Sequence, residues 1–119
     1  MNIRLMEVKR VEKYAWKAMV KDGCIEEYKK RHDNIWEEMK KVLSGAGIVN
    51  YSIWNVGNEL FGYYECTKEL DFAARVQNES PVVKKWDEYM KDILIMDKDP
   101  ITGAQPLLTQ VFEFKGEGK

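Results

Sequence analysis

The chain has 119 residues, of which 45% are hydrophobic and 33% are charged, so it predicts one folded domain and excludes a disordered chain. Its 19 basic and 20 acidic residues leave a net charge of −1, which argues against nucleic acid or an anionic membrane as the main partner. Two cysteines without metal-ligand spacing and a single histidine argue against a zinc site of the usual ligand types.

The N-terminal residues are expected to form an extension, at 1–13, because charges interrupt every apolar stretch there and no signal-peptide core is visible. A single domain is predicted at 14–114, followed by a frayed tail at 115–119. The apolar runs are far too short to span a bilayer. Together with two unpatterned cysteines, which suit a reducing compartment, these features predict a soluble cytoplasmic protein.

The first predicted strand covers Glu12 to Val20, where apolar and aromatic residues alternate with the others. One continuous helix is then predicted from Ile25 to Leu43, because apolar residues recur there at spacings of three, four and seven. The basic run at 29–31 is interpreted as part of its solvated face. The glycine-rich run at 44–47 ends this helix, since glycine readily adopts the left-handed conformation of helix ends.

Two further strands are predicted at Ile48–Val56 and Leu60–Cys66. Gly57 and Asn58 lie between them and are typical of a hairpin turn. Together with the first strand, they make three of the four expected strands, all in the first two-thirds of the chain.

Two helices are predicted after the hairpin, at about 68–76 and 81–93. Ser80 is expected to cap the second of them, with Pro81 at its first position. The remaining segments are interpreted as a loop and a last strand, at 97–106 and Leu107–Phe114.

The resulting order is strand, helix, strand, strand, helices, strand. This is the split β-α-β pattern of a ferredoxin-like α+β domain, with a four-stranded antiparallel sheet and helices on one face. In antiparallel sheets with one solvent-exposed face, polar and apolar residues alternate more regularly than they do in this sequence. We therefore expect a second subunit to cover the open face, or an aromatic pocket to form, or both. Both faces of the third strand carry apolar or aromatic groups: Leu60, Gly62, Tyr64 and Cys66 lie on one, and Phe61, Tyr63 and Glu65 on the other.

The single histidine, His32, lies on the predicted first helix, four residues after Tyr28 and four before Trp36. Its helical phase directs it toward the sheet. Taken alone, such a histidine is more often a core residue than a catalytic one. The many aromatic residues in the chain favour a functional role. Their flat apolar faces and hydrogen-bonding tips suit a sugar, which has apolar C–H faces and a hydroxylated rim. The aromatic residues with polar edges are Tyr28, Tyr51, Trp54, Tyr63, Tyr64 and Trp86.

Other kinds of chemistry have less support in the sequence. It contains no glycine-rich phosphate loop and no Gly-x-Ser-x-Gly elbow, and neither cysteine has the context of a nucleophile. One histidine, several tyrosines and many carboxylates suit proton transfer better than covalent or metal catalysis.

The segment Glu27–Trp36, with the sequence EYKKRHDNIW, resembles the L-rhamnose mutarotase family, whose pattern there is close to E-Y-x-x-R-H-x-x-I-W-P-E. The likeness continues at 47–53, 85–90 and 108–112, where the family has N-Y-x-I, R-W-W-x-Y-M and L-x-x-V-F. It covers about residues 14 to 114, nearly the whole chain.

This resemblance implies a dimeric α/β barrel made from two ferredoxin-like subunits. It also implies interconversion of the α and β anomers of L-rhamnose without a cofactor. By motif match, His32 is the expected proton donor. We hypothesise that it donates to the ring oxygen O5, while a tyrosine or an ordered water takes the proton of the anomeric hydroxyl. Tyr28, Tyr51 and Trp86 are expected to contact the sugar.

Two positions depart from the family pattern. Asp87 stands where a second tryptophan is usual, so a carboxylate replaces a stacking surface and the preferred 6-deoxyhexose is left open. Glu37 stands where proline is usual and is expected to extend the helix smoothly. Two alternatives remain at this point: a haem-degrading or quinone-forming monooxygenase on the same barrel, with His32 as haem ligand or base, and a non-catalytic sugar-binding module.

Overall fold

The computed structural model describes residues 11–95 and 106–116. The predicted extension at 1–13, the loop at 97–106 and the tail at 115–119 lie largely outside these ranges. The described chain folds into an antiparallel sheet with helices, which confirms the predicted α+β class. In chain order they are β1 (Glu12–Val20), α1 (Ile25–Asp33), α2 (Glu37–Gly45), β2 (Ile48–Val56), β3 (Glu59–Cys66), α3 (Leu70–Glu79), α4 (Pro81–Met90) and β4 (Leu94–Ile95).

The four strands form one antiparallel sheet in the order β2-β3-β1-β4. The central pair runs in unbroken register from Glu12 opposite Cys66 to Met19 opposite Glu59. Alternate residues of both strands are buried, since successive side chains of a strand point to opposite faces. The sheet therefore has one buried face and one open face.

The helices cover the buried face of the sheet, and the main hydrophobic core lies between the helices and this face. Two of the predicted site residues, Tyr28 and Trp86, belong to this core and are each 7% exposed. None of the helices in the described ranges is long and apolar enough to cross a membrane. The buried members of the core are Trp16, Ala18, Val20, Tyr28, Met39, Leu60, Trp86, Met90 and Ile93.

The prediction of one continuous helix from Ile25 to Leu43 is wrong, because the chain leaves helical geometry at 34–36. The Asn34 side chain donates to the backbone oxygen of Lys30 at 2.9 Å, which competes with a continued helix. Trp36 is extended, with φ −65° and ψ 144°. Glu37 therefore begins a second helix and does not extend the first. Both helices pack on the same face of the sheet, so their apolar residues together follow the spacing expected of one continuous helix.

The hairpin prediction is confirmed, although β3 begins at Glu59 and not at Leu60. Gly57 adopts φ +58° in the turn, a conformation that glycine reaches without steric cost. The side chain of Asn55 donates to the Gly57 backbone oxygen at 2.9 Å and secures the turn.

The two helices after the hairpin are confirmed, with shifted ends. They were predicted at 68–76 and 81–93 and lie instead at Leu70–Glu79 and Pro81–Met90. The Ser80 hydroxyl accepts from the two backbone N–H groups that follow Pro81, as a capping residue should.

The predicted last strand at Leu107–Phe114 is wrong. In the part of the chain that the structure describes, only Leu107 forms a bridge, opposite Trp16. The short β4 at Leu94–Ile95 already pairs with the end of β1 and takes the edge of the sheet there. Farther along the segment, the apolar side chains that alternation would place against a core are exposed: Val111 by 92%, Phe112 by 78% and Phe114 by 79%.

Candidate functional site

A cavity of about 1090 Å³ lies between the helices and the buried face of the sheet. This is slightly above the range of about 300–1,000 Å³ found for small-molecule sites, so one monosaccharide would fill only part of it. All five residues predicted to act on the sugar line this single cavity: Tyr28, His32, Tyr51, Trp86 and Asp87.

His32 is held against Tyr28, one turn earlier on α1. Its Nδ1 lies 3.1 Å from the Tyr28 backbone oxygen, and the two rings stack with centroids 4.2 Å apart. A carbonyl oxygen only accepts hydrogen bonds, so Nδ1 carries the hydrogen in this geometry. In the neutral ring, Nε2 is then the unprotonated nitrogen, which can accept a proton from a bound molecule.

The environment of His32 favours its neutral form. Burial lowers the pKa of His32 below its ordinary value, while the Tyr28 carbonyl and the charge of Asp33 act in the opposite direction. Burial has the largest effect because a charged imidazolium loses water solvation there. At neutral pH, the histidine in the cavity is thus chiefly a proton acceptor, and it becomes a donor once it has taken up a proton.

Trp86 forms the wall of the cavity beside the imidazole. Its ring meets His32 edge to face, with centroids 5.4 Å apart at 89°. Trp36 and Tyr89 pack against the same indole at 5.1 and 5.6 Å. Asp87 follows Trp86 on α4 and is exposed, so its carboxylate lies at the solvent side of the site. Nothing in the sequence marks Trp36 or Tyr89 as a support of this wall.

Arg31 ties α1 to the end of α4. Its guanidinium donates to the Tyr89 backbone oxygen at 2.7 Å and to both carboxylate oxygens of Asp92 at 2.9 and 3.3 Å. It also donates to Glu27 at 2.8 Å. The bonds from Arg31 to the Asp92 carboxylate lower the pKa of Asp92. The interpretation of the basic run as solvated is therefore wrong for Arg31, whose side chain is only 12% exposed, because its charge is paired and held between two helices.

Tyr51 reaches the cavity because β2 is irregular. The β2–β3 register shifts between Val49 and Ser52, and Asn50 has φ +52°. In a regular strand, Ile48 and Tyr51 would point to opposite faces, but this bulge brings both to the helix side. The Tyr51 hydroxyl accepts from the indole nitrogen Nε1 of Trp16 at 3.1 Å. Desolvation of this hydroxyl raises the pKa of Tyr51, so it remains protonated.

Trp16 is the cavity residue that sequence reasoning missed. It was treated only as an apolar position of the first strand, yet it is 6% exposed, lines the cavity and directs its N–H to Tyr51. A glycine opposite a tryptophan was the available signal, but it required the strand register.

Comparisons with known proteins match nearly the whole domain. The family model described as L-rhamnose mutarotase matches residues 13–114. An L-rhamnose mutarotase of Phocaeicola vulgatus is 36% identical over 99 residues, which is 81% of this chain and 94% of that protein. One of Rhizobium johnstonii is 40% identical over 101 residues, covering 83% and 93%. The crystal structure of an L-rhamnose mutarotase from Formosa agariphila superposes with a TM-score of 0.71 at 29% identity, covering 87% of this chain and 99% of that one.

Proposed function

The chain belongs to the L-rhamnose mutarotase family, and on that premise we propose that it is an isomerase that interconverts the α and β anomers of L-rhamnose or a related 6-deoxyhexose. The observation that carries this proposal is the placement of the only histidine. His32 lies in an aromatic cavity with Nδ1 committed to Tyr28, which leaves Nε2 for a sugar. Family membership favours this reaction over the monooxygenase considered from the sequence.

Mutarotation breaks the bond between C1 and the ring oxygen O5 and forms it again on the other face of C1. During opening, the anomeric hydroxyl loses a proton and O5 gains one, so protons balance without any cofactor. In our proposal, neutral His32 takes the anomeric proton on Nε2, and the resulting imidazolium delivers it to O5. Closure reverses these steps after rotation about the C1–C2 bond. His32 is thus the proton donor to O5, and its proton comes from the substrate.

The other four residues hold the sugar in this proposal. Trp86 offers an aromatic surface to the apolar C–H face of the ring. The Tyr51 hydroxyl donates to a sugar oxygen, and Asp87 accepts from hydroxyl groups at the solvent side. Tyr28 keeps the imidazole plane in place through the stack at 4.2 Å. Such positioning matters because proton transfer requires heavy-atom distances of about 2.6–3.2 Å.

We also propose that the protein is a homodimer that works in the cytoplasm. The sheet face opposite the helices exposes Trp54 by 70% and Val56 by 72%. A second copy packed sheet to sheet would remove these side chains from water and produce the barrel implied by the family resemblance. Sedimentation of the wild type and of Trp54→Lys tests this part: a dimer that dissociates in the variant supports it, and a monomeric wild type contradicts it.

The catalytic proposal is tested with His32→Asn, followed by saturation-transfer NMR of L-rhamnose anomers. Asparagine keeps a side-chain N–H close to the position of Nδ1 but has nothing at the position of Nε2. We expect the enzyme-catalysed exchange rate to fall by about a hundred- to ten-thousand-fold, the usual contribution of general acid–base catalysis. The matched control is Lys30→Asn, on the exposed face of the same helix, with an unchanged rate expected.

Two outcomes would contradict the proposal. Exchange that survives in His32→Asn would show that another group transfers the proton. A wild type that binds L-rhamnose without accelerating exchange would be a sugar-binding module.

A further inference from the structure

Gly62 lies directly beneath the indole of Trp16. The two residues are paired across β1 and β3, and a Cβ added at Gly62 would lie 2.0 Å from Cε2 of Trp16 and 2.3 Å from Cζ2. No non-bonded atoms approach that closely, so any side chain at Gly62 would displace the indole. The close approach of the tryptophan therefore requires glycine at this position. Without a side chain at Gly62, the indole packs directly on the backbone of β3 in one position, which we call the indole seat.

This seat fixes the direction of the indole N–H. Nε1 of Trp16 lies 3.1 Å from the Tyr51 hydroxyl oxygen. An indole N–H only donates, so Tyr51 accepts at this contact and its own hydrogen is left for another partner. Tyr51 also packs against Tyr64, with centroids 5.0 Å apart, and Tyr64 stacks on Tyr14 at 4.9 Å. These contacts hold the phenol ring while Trp16 sets the orientation of its hydroxyl.

We propose that Trp16, seated on Gly62, is a positioning residue that orients the Tyr51 hydroxyl as a hydrogen-bond donor to an oxygen of the bound sugar. This inference rests on the proposed mutarotase function and deepens it. It assigns the Trp16–Gly62 pair a role in the site that packing alone would not require. The raised pKa of Tyr51 agrees with it, because a hydroxyl that stays protonated can only serve the sugar as a neutral donor or acceptor.

A double-mutant cycle on Trp16 and Tyr51 tests the proposal. Trp16→Phe keeps an aromatic ring over Gly62 but removes the N–H, and Tyr51→Phe removes the hydroxyl. We expect Trp16→Phe to lower the anomer exchange rate at saturating L-rhamnose about fivefold, as for the loss of one orienting hydrogen bond. In the Tyr51→Phe background, the same substitution should have no further effect, because the group that it orients is gone. Equal losses in both backgrounds, or no loss in the wild-type background, would overturn the proposal.

The seat is tested with Gly62→Ala, alone and combined with Trp16→Phe. The single variant should lose exchange activity and melt at a lower temperature, because its Cβ displaces the indole. The combination should recover melting temperature, because the phenylalanine ring is smaller than the indole, whose Cε2, Cζ2 and Nε1 atoms lie nearest the added carbon. It should nevertheless keep the low exchange rate of Trp16→Phe. Recovery of both properties would overturn the positioning role.

A measurement that does not depend on activity separates this inference from the proposed function. The indole N–H resonance of Trp16 in a ¹⁵N–¹H spectrum, identified by its absence in Trp16→Phe, should move upfield in Tyr51→Phe. An unmoved resonance would show that the hydrogen bond is not made, whatever the activity. A wild type without exchange activity would contradict the mutarotase proposal, even if the resonance shifted as expected.

Discussion

The backbone oxygen of Tyr28 accepts from Nδ1 of His32 at 3.1 Å, so the orientation of the imidazole is set by the helix that carries it. No second side chain is needed to fix the tautomer, because the partner is a carbonyl one helical turn earlier. The same turn brings the two rings into a stack. The proposed acid–base group, His32, and the residue that orients it, Tyr28, thus lie one turn apart on the same helix, α1.

The pH dependence of exchange should follow the neutral form of His32. Burial lowers the pKa of His32, so the neutral form persists to a lower pH than that of free histidine, whose pKa is about 6.5. After subtraction of the uncatalysed rate, kcat/KM should be level near pH 7 and fall on the acid side, with a midpoint below 6.5. Anomer exchange measured from pH 5 to 8 checks this. A rate that rises as the pH falls through that range would show that imidazolium is the starting form.

Arg31 should matter for activity although it does not line the cavity. Its bonds to Tyr89 and Asp92 hold α1 against the end of α4 and so set His32 beside Trp86. Arg31→Lys keeps the charge but not the two-pronged contact, and Arg31→Met keeps neither. We expect the melting temperature and the exchange rate to fall in both variants, more in Arg31→Met.

The control for Arg31 is Lys91→Met, which removes an exposed ion pair with Glu88, away from the cavity. Exposed pairs of this kind contribute little, so this variant should resemble the wild type in both measurements. Equal activities of Arg31→Met and Lys91→Met would contradict a positioning role for Arg31.

Much of this architecture could be predicted because the signals were local. Alternation gave β1, the Gly57–Asn58 pair gave the hairpin, and Ser80 followed by Pro81 gave the start of α4. The break at 34–36 could not be predicted from periodicity, because the two helices share one apolar face. The helical phase of His32 beside Tyr28 was likewise readable from spacing alone.

The parts that escaped prediction depend on contacts between distant segments. The Trp16–Gly62 pair requires the register of β1 and β3, and the arrival of Tyr51 in the cavity requires the bulge at Asn50. From the sequence, Arg31 resembles any other surface cation, and its pairing with Asp92, two residues after α4, requires the fold. In each case, the role of a residue depends on a contact with a partner that is distant in the sequence.

Asp87 should set the preference among 6-deoxyhexoses. It lines the cavity on α4 next to Trp86, where the family pattern has a second tryptophan. Asp87→Asn should raise KM for L-rhamnose severalfold, because a charged acceptor binds hydroxyl groups more strongly than a neutral one. Asp87→Trp should change the ratio of exchange rates between L-rhamnose and L-fucose. An NMR panel of aldoses checks both, with Glu88→Gln as the control on the same helix, and an unchanged sugar ratio in Asp87→Trp would contradict this role.

The break between α1 and α2 predicts that Glu37→Pro stabilises the protein. Glu37 is the first residue of α2, where a backbone N–H has no partner within the helix and proline fits. Trp36 already has ψ 144°, the extended conformation that a following proline requires. The lost ion pair with Lys40 is exposed and weak.

We therefore expect Glu37→Pro to raise the free energy of unfolding by about 0.4–1 kcal/mol, chiefly by restricting the unfolded chain. Lys41→Pro, placed inside α2, should instead lower it by about 3 kcal/mol or more, because it removes a helical hydrogen bond and its ring clashes with the preceding turn. Urea denaturation of the two variants and the wild type measures the difference. If Glu37→Pro were as destabilising as Lys41→Pro, the chain at Glu37 would have to be helix interior, and α1 and α2 would be continuous in solution.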